Sequence, residues 1–384
     1  MPKLQTLFVF MSVCAMTFFS PAYALDLSLN DAVEKIMAES HDLKKANANL
    51  KKAEASLDVA NANRWFKLDG SASYMNMVNV ENLSQSQQIE LPPALGGLIS
   101  ETLKDQSIVI EIPDNIFQAG LTLTQPIYTF GKIGNAVQSV KSAVKMAGAS
   151  QEMVRREVRY AAANLYWTAK MTDEIVRLAE QDLKNARSAK NKLTSAGRAN
   201  RSNLLKIESD IATKQINVSD AYFNRDTAHR MLKIMSGIDV DEELTLTDNF
   251  PTEFADLNAG KLTKSPQWDI LTEQVNMYER AARAQRANNY PTLAATASYT
   301  YSSMSGDVGH LFEKKGSQSA YWGLALQMPI FNGGLNRANA TVEAMNAESA
   351  RQDLAQAKKM TTEQYNNAVK QYNHLRGNLS TLEN

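Results

Sequence analysis

The residue types that carry most enzyme chemistry are sparse in this chain of 384 residues. Its four histidines, His41, His229, His310 and His374, lie far apart. No H-x-x-x-H and no His/Asp pair at catalytic spacing joins two metal ligands, or a base and the group that would orient it. All four read as exposed helix or loop positions. No G-x-S-x-G, P-loop or dinucleotide fingerprint occurs. The charged run Arg155, Arg156, Glu157 and Arg159 reads as the solvated face of a helix. The single cysteine, Cys14, sits in an apolar N-terminal stretch, which leaves the rest of the chain without disulfides, zinc–thiolate sites or a thiol nucleophile. Lys+Arg and Asp+Glu each number 41, so the balanced charge favours neither nucleic acid nor any other strongly charged partner. The expectation is no enzyme, no catalytic residue, no cofactor and no metal.

What recurs is structural. Gln125-Pro126-Ile127-Tyr128-Thr129-Phe130-Gly131 is matched by Gln327-Met328-Pro329-Ile330-Phe331-Asn332-Gly333-Gly334. Each string closes an alternating run and opens a long polar stretch of helical character. Leu68-Asp69-Gly70-Ser71-Ala72-Ser73-Tyr74 is likewise matched by Leu293-Ala294-Ala295-Thr296-Ala297-Ser298-Tyr299, and Ser40-His41-Asp42-Leu43 by Ser265-Pro266-Gln267-Trp268. These last two pairs share an offset of 225, whereas Pro126 and Pro329 are 203 apart. The chain is therefore an internal duplication whose first copy has a longer loop between its two strands. That loop holds Leu91-Pro92-Pro93-Ala94-Leu95-Gly96-Gly97, a surface excursion by composition.

Residues 1–24 read as a secretory signal. Lys3 supplies the positive end, residues 4–19 the apolar stretch, and Ala22-Tyr23-Ala24 the cleavage site. Ser12, Thr17, Ser20 and Pro21 interrupt the run short of a membrane span. No later segment has the length and apolarity of a transmembrane helix, so entry into a membrane would have to be made by β-strands.

The predicted strands alternate. Leu68, Gly70, Ala72 and Tyr74 oppose Asp69, Ser71 and Ser73; Ala119, Leu121 and Leu123 oppose Gly120, Thr122 and Thr124. Leu293, Ala295, Ala297, Tyr299 and Tyr301 oppose Thr296, Ser298, Thr300 and Ser302; Trp322, Leu324 and Leu326 oppose Gly323, Ala325 and Gln327. An apolar and a small polar face over about 10 residues suit a barrel strand between lipid and lumen, although a soluble amphipathic sheet alternates in the same way. Tyr74, Tyr299, Tyr301, Tyr321 and Trp322 are candidates for an aromatic girdle.

The helices separate those two readings. From 132 to 195 there is no proline, and about 64 helical residues would extend roughly 95 Å, more than a compact domain of this size uses. Val154, Val158, Ala161, Leu165, Thr168, Thr172, Ile175 and Ala179 follow a 4-3 spacing. After Gly197 the spacing resumes with Leu204, Ile207, Ile211, Lys214, Val218, Ala221, Arg225, Ala228, Leu232 and Met235. Seams this rich in Ala and Thr suit side-by-side packing in a wall of helices. Gly197 supplies a left-handed turn at the hairpin tip, and Ser202 caps the returning helix.

The predicted order is a signal peptide at 1–24 and a first repeat at 25–237, with a helix, strands at 66–80 and 117–129, and a helical hairpin at 132–235. A linker at 238–261, whose Leu244-Thr245-Leu246-Thr247 alternation suggests a small belt, leads to a second, incomplete repeat at 262–384. That repeat holds a helix, strands at 291–303 and 320–331, and an outgoing helix at 335–384. Four strands cannot close a membrane barrel, and open sheet edges are not tolerated in lipid. The strands must be pooled between subunits, eight in a dimer or twelve in a trimer.

The duplicated Pro-aromatic-x-x-Gly strand ends and the run Leu326-Gln327-Met328-Pro329-Ile330-Phe331-Asn332-Gly333-Gly334 resemble the TolC-type outer-membrane efflux channel family across nearly the whole mature chain. The resemblance implies a mixed α+β membrane protein in the outer membrane of a Gram-negative bacterium. Its parts would be a homotrimer sharing a twelve-stranded barrel, a coiled-coil helical tunnel through the periplasm, and contacts with outer-membrane lipid. The implied partners are a periplasmic adaptor and an inner-membrane pump or ABC transporter, for efflux or type I secretion. Pro126, Tyr128, Gly131, Pro329, Phe331, Gly333 and Gly334 would be the barrel-to-helix junctions. Gly197, Arg198, Ala199, Ser202 and Asn203 match the family's Gly-x-x-(Ser/Thr)-x-(Ser/Thr)-Asp-Leu/Val tip, which meets the adaptor. Asn203 replaces the usual Asp, and Asn200 replaces a small residue. Compared with the first repeat, the second lacks its tip and returning helix, so the expectation is a fragment, a truncated product or a divergent member. The alternative from a different class is a periplasmic coiled-coil adaptor or structural protein of an export complex, although no lipoyl-like domain flanks the hairpin.

Overall fold

The computed structural model describes residues 25–77, 115–195, 200–255, 257, 260–305, 307–311 and 316–382. The expected signal peptide, the Pro-rich loop and the tip residues Gly197, Arg198 and Ala199 lie outside the described residues. In chain order the elements are β1 (Leu25–Leu27), α1 (Leu29–Glu39), α2 (His41–Ala62), β2 (Lys67–Asn76), β3 (Asn115–Tyr128), α3 (Lys132–Ser195), α4 (Arg201–Ser236), β4 (Leu244–Leu246), α5 (Pro266–Ala287), β5 (Thr292–Ser305), β6 (Ser317–Gln327) and α6 (Leu335–Leu382). The chain divides into two compact units. The first comprises Met1–Ala48, Gln151–Ala259 and Ala368–Asn384; the second comprises Asn49–Ser150 and Gly260–Asn367.

In the first unit, β1 and β4 pair in parallel, Leu25 with Leu244 and Leu27 with Leu246. The Leu244-Thr245 alternation was legible in the sequence, but its three-residue partner strand at Leu25–Leu27 was not. Leu27, Ala32, Ile36, Ala162, Tyr166, Ala169, Leu232, Ile238 and Leu246 form one buried cluster. Local signals start and stop the helices here. The Ser28 side chain accepts from the Asp31 N–H to cap α1, and Gly237, at φ 67°, ends α4 in a left-handed turn. The cap of α4 differs from the expectation. Asn200, not Ser202, accepts the Asn203 N–H at 2.9 Å, because α4 begins at Arg201 and places Ser202 inside the first turn.

The α4 seam is present. Every expected position from Leu204 to Leu232 is buried or half-buried, while Met235 is exposed and burial passes to Ser236. On α3 the stripe differs. Thr172 is buried and Val154, Val158, Leu165 and Ala179 are half-buried as expected, but Ala161, Thr168 and Ile175 face outward while Ala162, Ala169 and Val176 are buried in their place, beside a buried Tyr166. One residue along a helix is a rotation of about 100°, so at these three positions packing within the chain selects the neighbouring residue and leaves three of the eight expected seam residues uncovered.

In the second unit a four-stranded antiparallel sheet has the order β2-β3-β5-β6. The sequence placed its last strand too far along. β6 stops at Gln327 rather than 331, because Pro329 has no N–H to donate and Gly333 and Gly334 turn the chain through positive φ. β3 begins two residues earlier than expected, where Asn115 pairs with Asn76 on one side and Ser305 on the other. Helix α5 is tied to α3 by Ser139 Oγ donating to the Met277 carbonyl and by Lys145 with Glu273. It is tied to α6 by Arg351 with Glu279 and by Thr361 with Gln267. The α6 residues Ala340, Ala347, Ala350 and Ala357 are buried, small enough to let helices approach closely. Among the described residues no helix is long and apolar enough to cross a membrane.

Candidate conduit wall, junctions and docking tip

Strand register sorts the sheet into two faces. Leu68, Leu123, Ala297 and Trp322 are cross-strand partners, as are Gly70, Leu121, Tyr299 and Ala320. Directly paired residues share a face, so the apolar residues of all four strands lie together. Trp322 is 86% exposed and Leu326 69%, an arrangement that is costly in water and suited to lipid. The opposite face carries Asp69, Thr122, Ser298 and Tyr321 at one level, with Thr122 and Ser298 hydroxyls 3.4 Å apart. Tyr321 therefore leaves the expected girdle and joins the polar face, while Tyr74, Tyr299, Tyr301 and Trp322 stay on the apolar one. Phe117 joins them and meets Tyr301 edge to face, with ring centroids 6.4 Å apart.

The two junctions are built alike. Phe130 and Gly131 have φ 48° and 82°; Gly333 and Gly334 have 63° and 82°. The Lys132 N–H donates to the Thr129 carbonyl and the Asn135 N–H to the Gly131 carbonyl; Leu335 donates to Asn332 and Ala338 to Gly334. Pairs of left-handed residues and matching hydrogen bonds thus occupy corresponding positions of the two repeats. Pro126 lies at the register shift that ends β3 pairing. Pro329 and Phe331 lie in the turn after β6, Phe331 89% exposed.

Phe130 is the one described non-glycine residue at positive φ, a conformation that costs an L-residue about 1–2 kcal/mol. Tyr128 meets its ring at 4.6 Å and Tyr290 stacks on it at 5.8 Å. Sequence reading missed Tyr290, whose only signal was an aromatic residue just before the Pro291 that opens the strand. Gln125 donates to the Arg64 carbonyl at 3.0 Å, and Asn336 to the Asn288 carbonyl at 3.1 Å. Each junction is thereby tethered to the end of the helix that precedes its strand pair.

The helical hairpin is bridged along its length. Lys190 meets Glu208, Asp182 meets Lys214, Glu180 accepts from the Tyr222 hydroxyl, and Asp173 lies 2.8 Å from His229 Nε2. His229 thus departs from the expectation of an exposed histidine. Its acidic partner stands 56 residues away in sequence, and only the antiparallel hairpin brings the two together. Ser202 and Asn203 are exposed at the start of α4.

A further node was not foreseen. The buried Tyr166 hydroxyl donates toward Asp248 Oδ2 at 2.7 Å and the Leu27 carbonyl at 3.2 Å, and accepts from the Asp248 N–H. The Leu29 N–H also reaches Asp248 Oδ2, and Lys170 Nζ caps the Leu246 carbonyl. Burial pushes the Tyr166 phenol up to about 12. Hydrogen bonds from the Leu29 N–H and the Tyr166 hydroxyl hold the Asp248 carboxyl below its ordinary value. The node ties α3 to both strands of the small sheet and contains no nucleophile or base aimed at a cavity. No group of three His, Cys, Asp or Glu among the described residues is placed to hold a metal.

Comparisons agree with this geometry. The outer membrane efflux protein family model matches residues 32–238 and 271–384. Among curated proteins no match was found. Among solved structures, a CusC structure described in terms of folding and transmembrane channel formation superposes with TM-score 0.73 at 16% identity, covering 94% of this chain and 79% of that one. The CmeC outer membrane channel of Campylobacter jejuni gives 0.69 at 19%, covering 86% and 67%. The outer membrane protein VceC of Vibrio cholerae gives 0.70 at 19%, covering 92% and 81%. The chain belongs to the outer membrane efflux protein family: it is a TolC-like, non-enzymatic outer-membrane channel that extends into the periplasm, of a family whose members form trimers in tripartite pumps.

Proposed function

We propose that three copies of this chain pool their sheets into a twelve-stranded barrel and pass cargo from an inner-membrane pump or ABC transporter through a periplasmic adaptor. The open edges of β2 and β6 carry this reading. An edge strand in lipid leaves a row of N–H and C=O groups without partners, each costing several kcal/mol. Joining β6 of one protomer to β2 of the next removes every edge. The adaptor would meet the hairpin tip at Gly197, Arg198, Ala199, Ser202 and Asn203. Capping by Asn200 leaves the Ser202 and Asn203 side chains out of the cap's acceptor role and available to a partner. The junctions at Pro126, Tyr128, Gly131, Pro329, Phe331, Gly333 and Gly334 would set the angle at which barrel strands become tunnel helices. The residues at 238–261 would form a belt about the helices, with residues 1–24 removed on export. Among the described residues no feature favours the adaptor alternative, because the four strands form one sheet with a lipid-type face.

The test is planar-bilayer conductance and heat-modifiable migration of the detergent-extracted protein, with cross-linking through cysteines placed at Gly197 and Ser202. A conducting trimer whose tip cross-links to an adaptor supports the reading. A monomer without conductance, or a tip that captures no adaptor while the trimer is intact, defeats it.

A further inference from the structure

The division between apolar and polar faces reverses at the end of the sheet farthest from the helices. Register is unbroken through this end, the only shift in β3 lying at Pro126/Tyr128. Alternation therefore assigns faces there without ambiguity. On the lipid side the last residues are polar and buried: Asn115 is 3% exposed and Ser305 4%. Asn115 Oδ1 accepts from Tyr74 Oη at 2.6 Å and from Asn76 Nδ2 at 2.7 Å. On the lumen side the same level carries Met75, Ile116 and Met304, which are direct cross-strand neighbours. Met75 and Met304 are 56% and 53% exposed. Below them the lumen side of the same three strands carries Ser73, Gln118 and Ser302, then Ser71, Gly120 and Thr300. This is the one level among the described strand residues where large aliphatic side chains line the lumen face.

We infer that Met75, Ile116 and Met304 form an apolar contact ring near the outer mouth of the conduit, which binds apolar and amphipathic small molecules as they leave. This ring rests on the trimeric conduit proposed above, in which three protomers would place nine such side chains at one level. A protein that conducts no current at all counts against that conduit, and altered block of a conducting one reports on the ring. The position within the transport path names the occupant, because whatever leaves the channel passes this ring. Its chemistry names the class. Methionine is flexible and polarizable and repacks against ligands of differing shape, and none of the three side chains carries charge. Recognition is by apolar area, so ligand charge of either sign is tolerated. A hydroxyl-lined wall offers such molecules nothing they lack in water, whereas an apolar ring offers transient desolvation without the tight binding that would arrest release.

The experiment uses the full chain in planar bilayers, with tetraphenylphosphonium or tetraphenylborate added on the loop side. Both ions should block current through the wild-type channel. Met75→Ser with Met304→Ser should weaken block by both about tenfold, the loss expected when two partly buried thioether contacts are removed. Met75→Leu with Met304→Leu should retain it. Unchanged block in the serine variant overturns the inference, and so does block by one sign of ion alone. Should the double serine variant not assemble, Ile116→Ser in the same assay must weaken block by both ions, and unchanged block there also overturns it.

Discussion

At the scale of single residues, the junctions show how a backbone conformation can outweigh side-chain identity. The left-handed pair is Phe130-Gly131 in one repeat and Gly333-Gly334 in the other. Phe130 holds its conformation against a penalty of about 1–2 kcal/mol, supported by its ring contacts with Tyr128 and Tyr290. Phe130→Ala loses the contacts and keeps the penalty, whereas Phe130→Gly loses both. The alanine variant should therefore be the less stable by about 1–2 kcal/mol, read as a lower melting temperature of the heat-modifiable oligomer. At the tip, Asn200→Ala should cost about 1 kcal/mol and raise amide exchange in the first turn of α4. Ser202→Ala should leave that exchange unchanged. Equal effects of the two substitutions would contradict the capping assignment.

At the scale of elements, the small parallel sheet and its Tyr166–Asp248 node hold α3 to β1 and to the segment around β4 within the first unit. Tyr166→Phe removes the shared hydroxyl and leaves buried acceptors short of a donor, which should cost about 1–3 kcal/mol in thermal unfolding. The pH dependence has two limbs. The Tyr166 phenol titrates higher when folded, so its contribution is complete below the ordinary value of 10.0 and lost as pH rises through about 12. The Asp248 carboxyl titrates lower when folded, so its contribution is present above the ordinary value of 3.8 and lost as pH falls through the lowered one. Tyr166→Phe should abolish the alkaline limb. An alkaline limb of the same size in that variant would place its origin elsewhere.

At the scale of the whole molecule, the decisive property is which side of the sheet meets lipid. Trp322 and Tyr321 are adjacent aromatic residues on opposite faces. Trp322→Arg sets a charge against hydrocarbon and should cost about 2–4 kcal/mol, seen as loss of outer-membrane oligomer. Tyr321→Arg should assemble normally and alter ion selectivity, because its charge faces the lumen. Reversed outcomes would turn the barrel inside out.

Much of this molecule was legible without coordinates, and the reason is periodicity. The period-two runs located four strands and their faces, because burial on one side imprints alternation directly. The 4-3 spacing located the α4 seam from Leu204 to Leu232, and the duplicated Pro-aromatic-Gly strings located both turns that tertiary structure built with matching hydrogen bonds. What the sequence could not decide depends on partners distant in the chain. At Ala161, Thr168 and Ile175 the α3 seam moved by one residue because several 4-3 stripes coexist on an Ala- and Thr-rich helix, and only packing chooses among them. His229 acquired Asp173, and Tyr166 acquired Asp248, through approaches that no local spacing encodes. Asn200 displaced Ser202 as the cap because both can accept the hydrogen bond, and the helix start alone decides which one does. The reversal of faces at Met75, Ile116 and Met304 is written in the alternation of each strand. It becomes a ring only when antiparallel register sets the three side chains at one height.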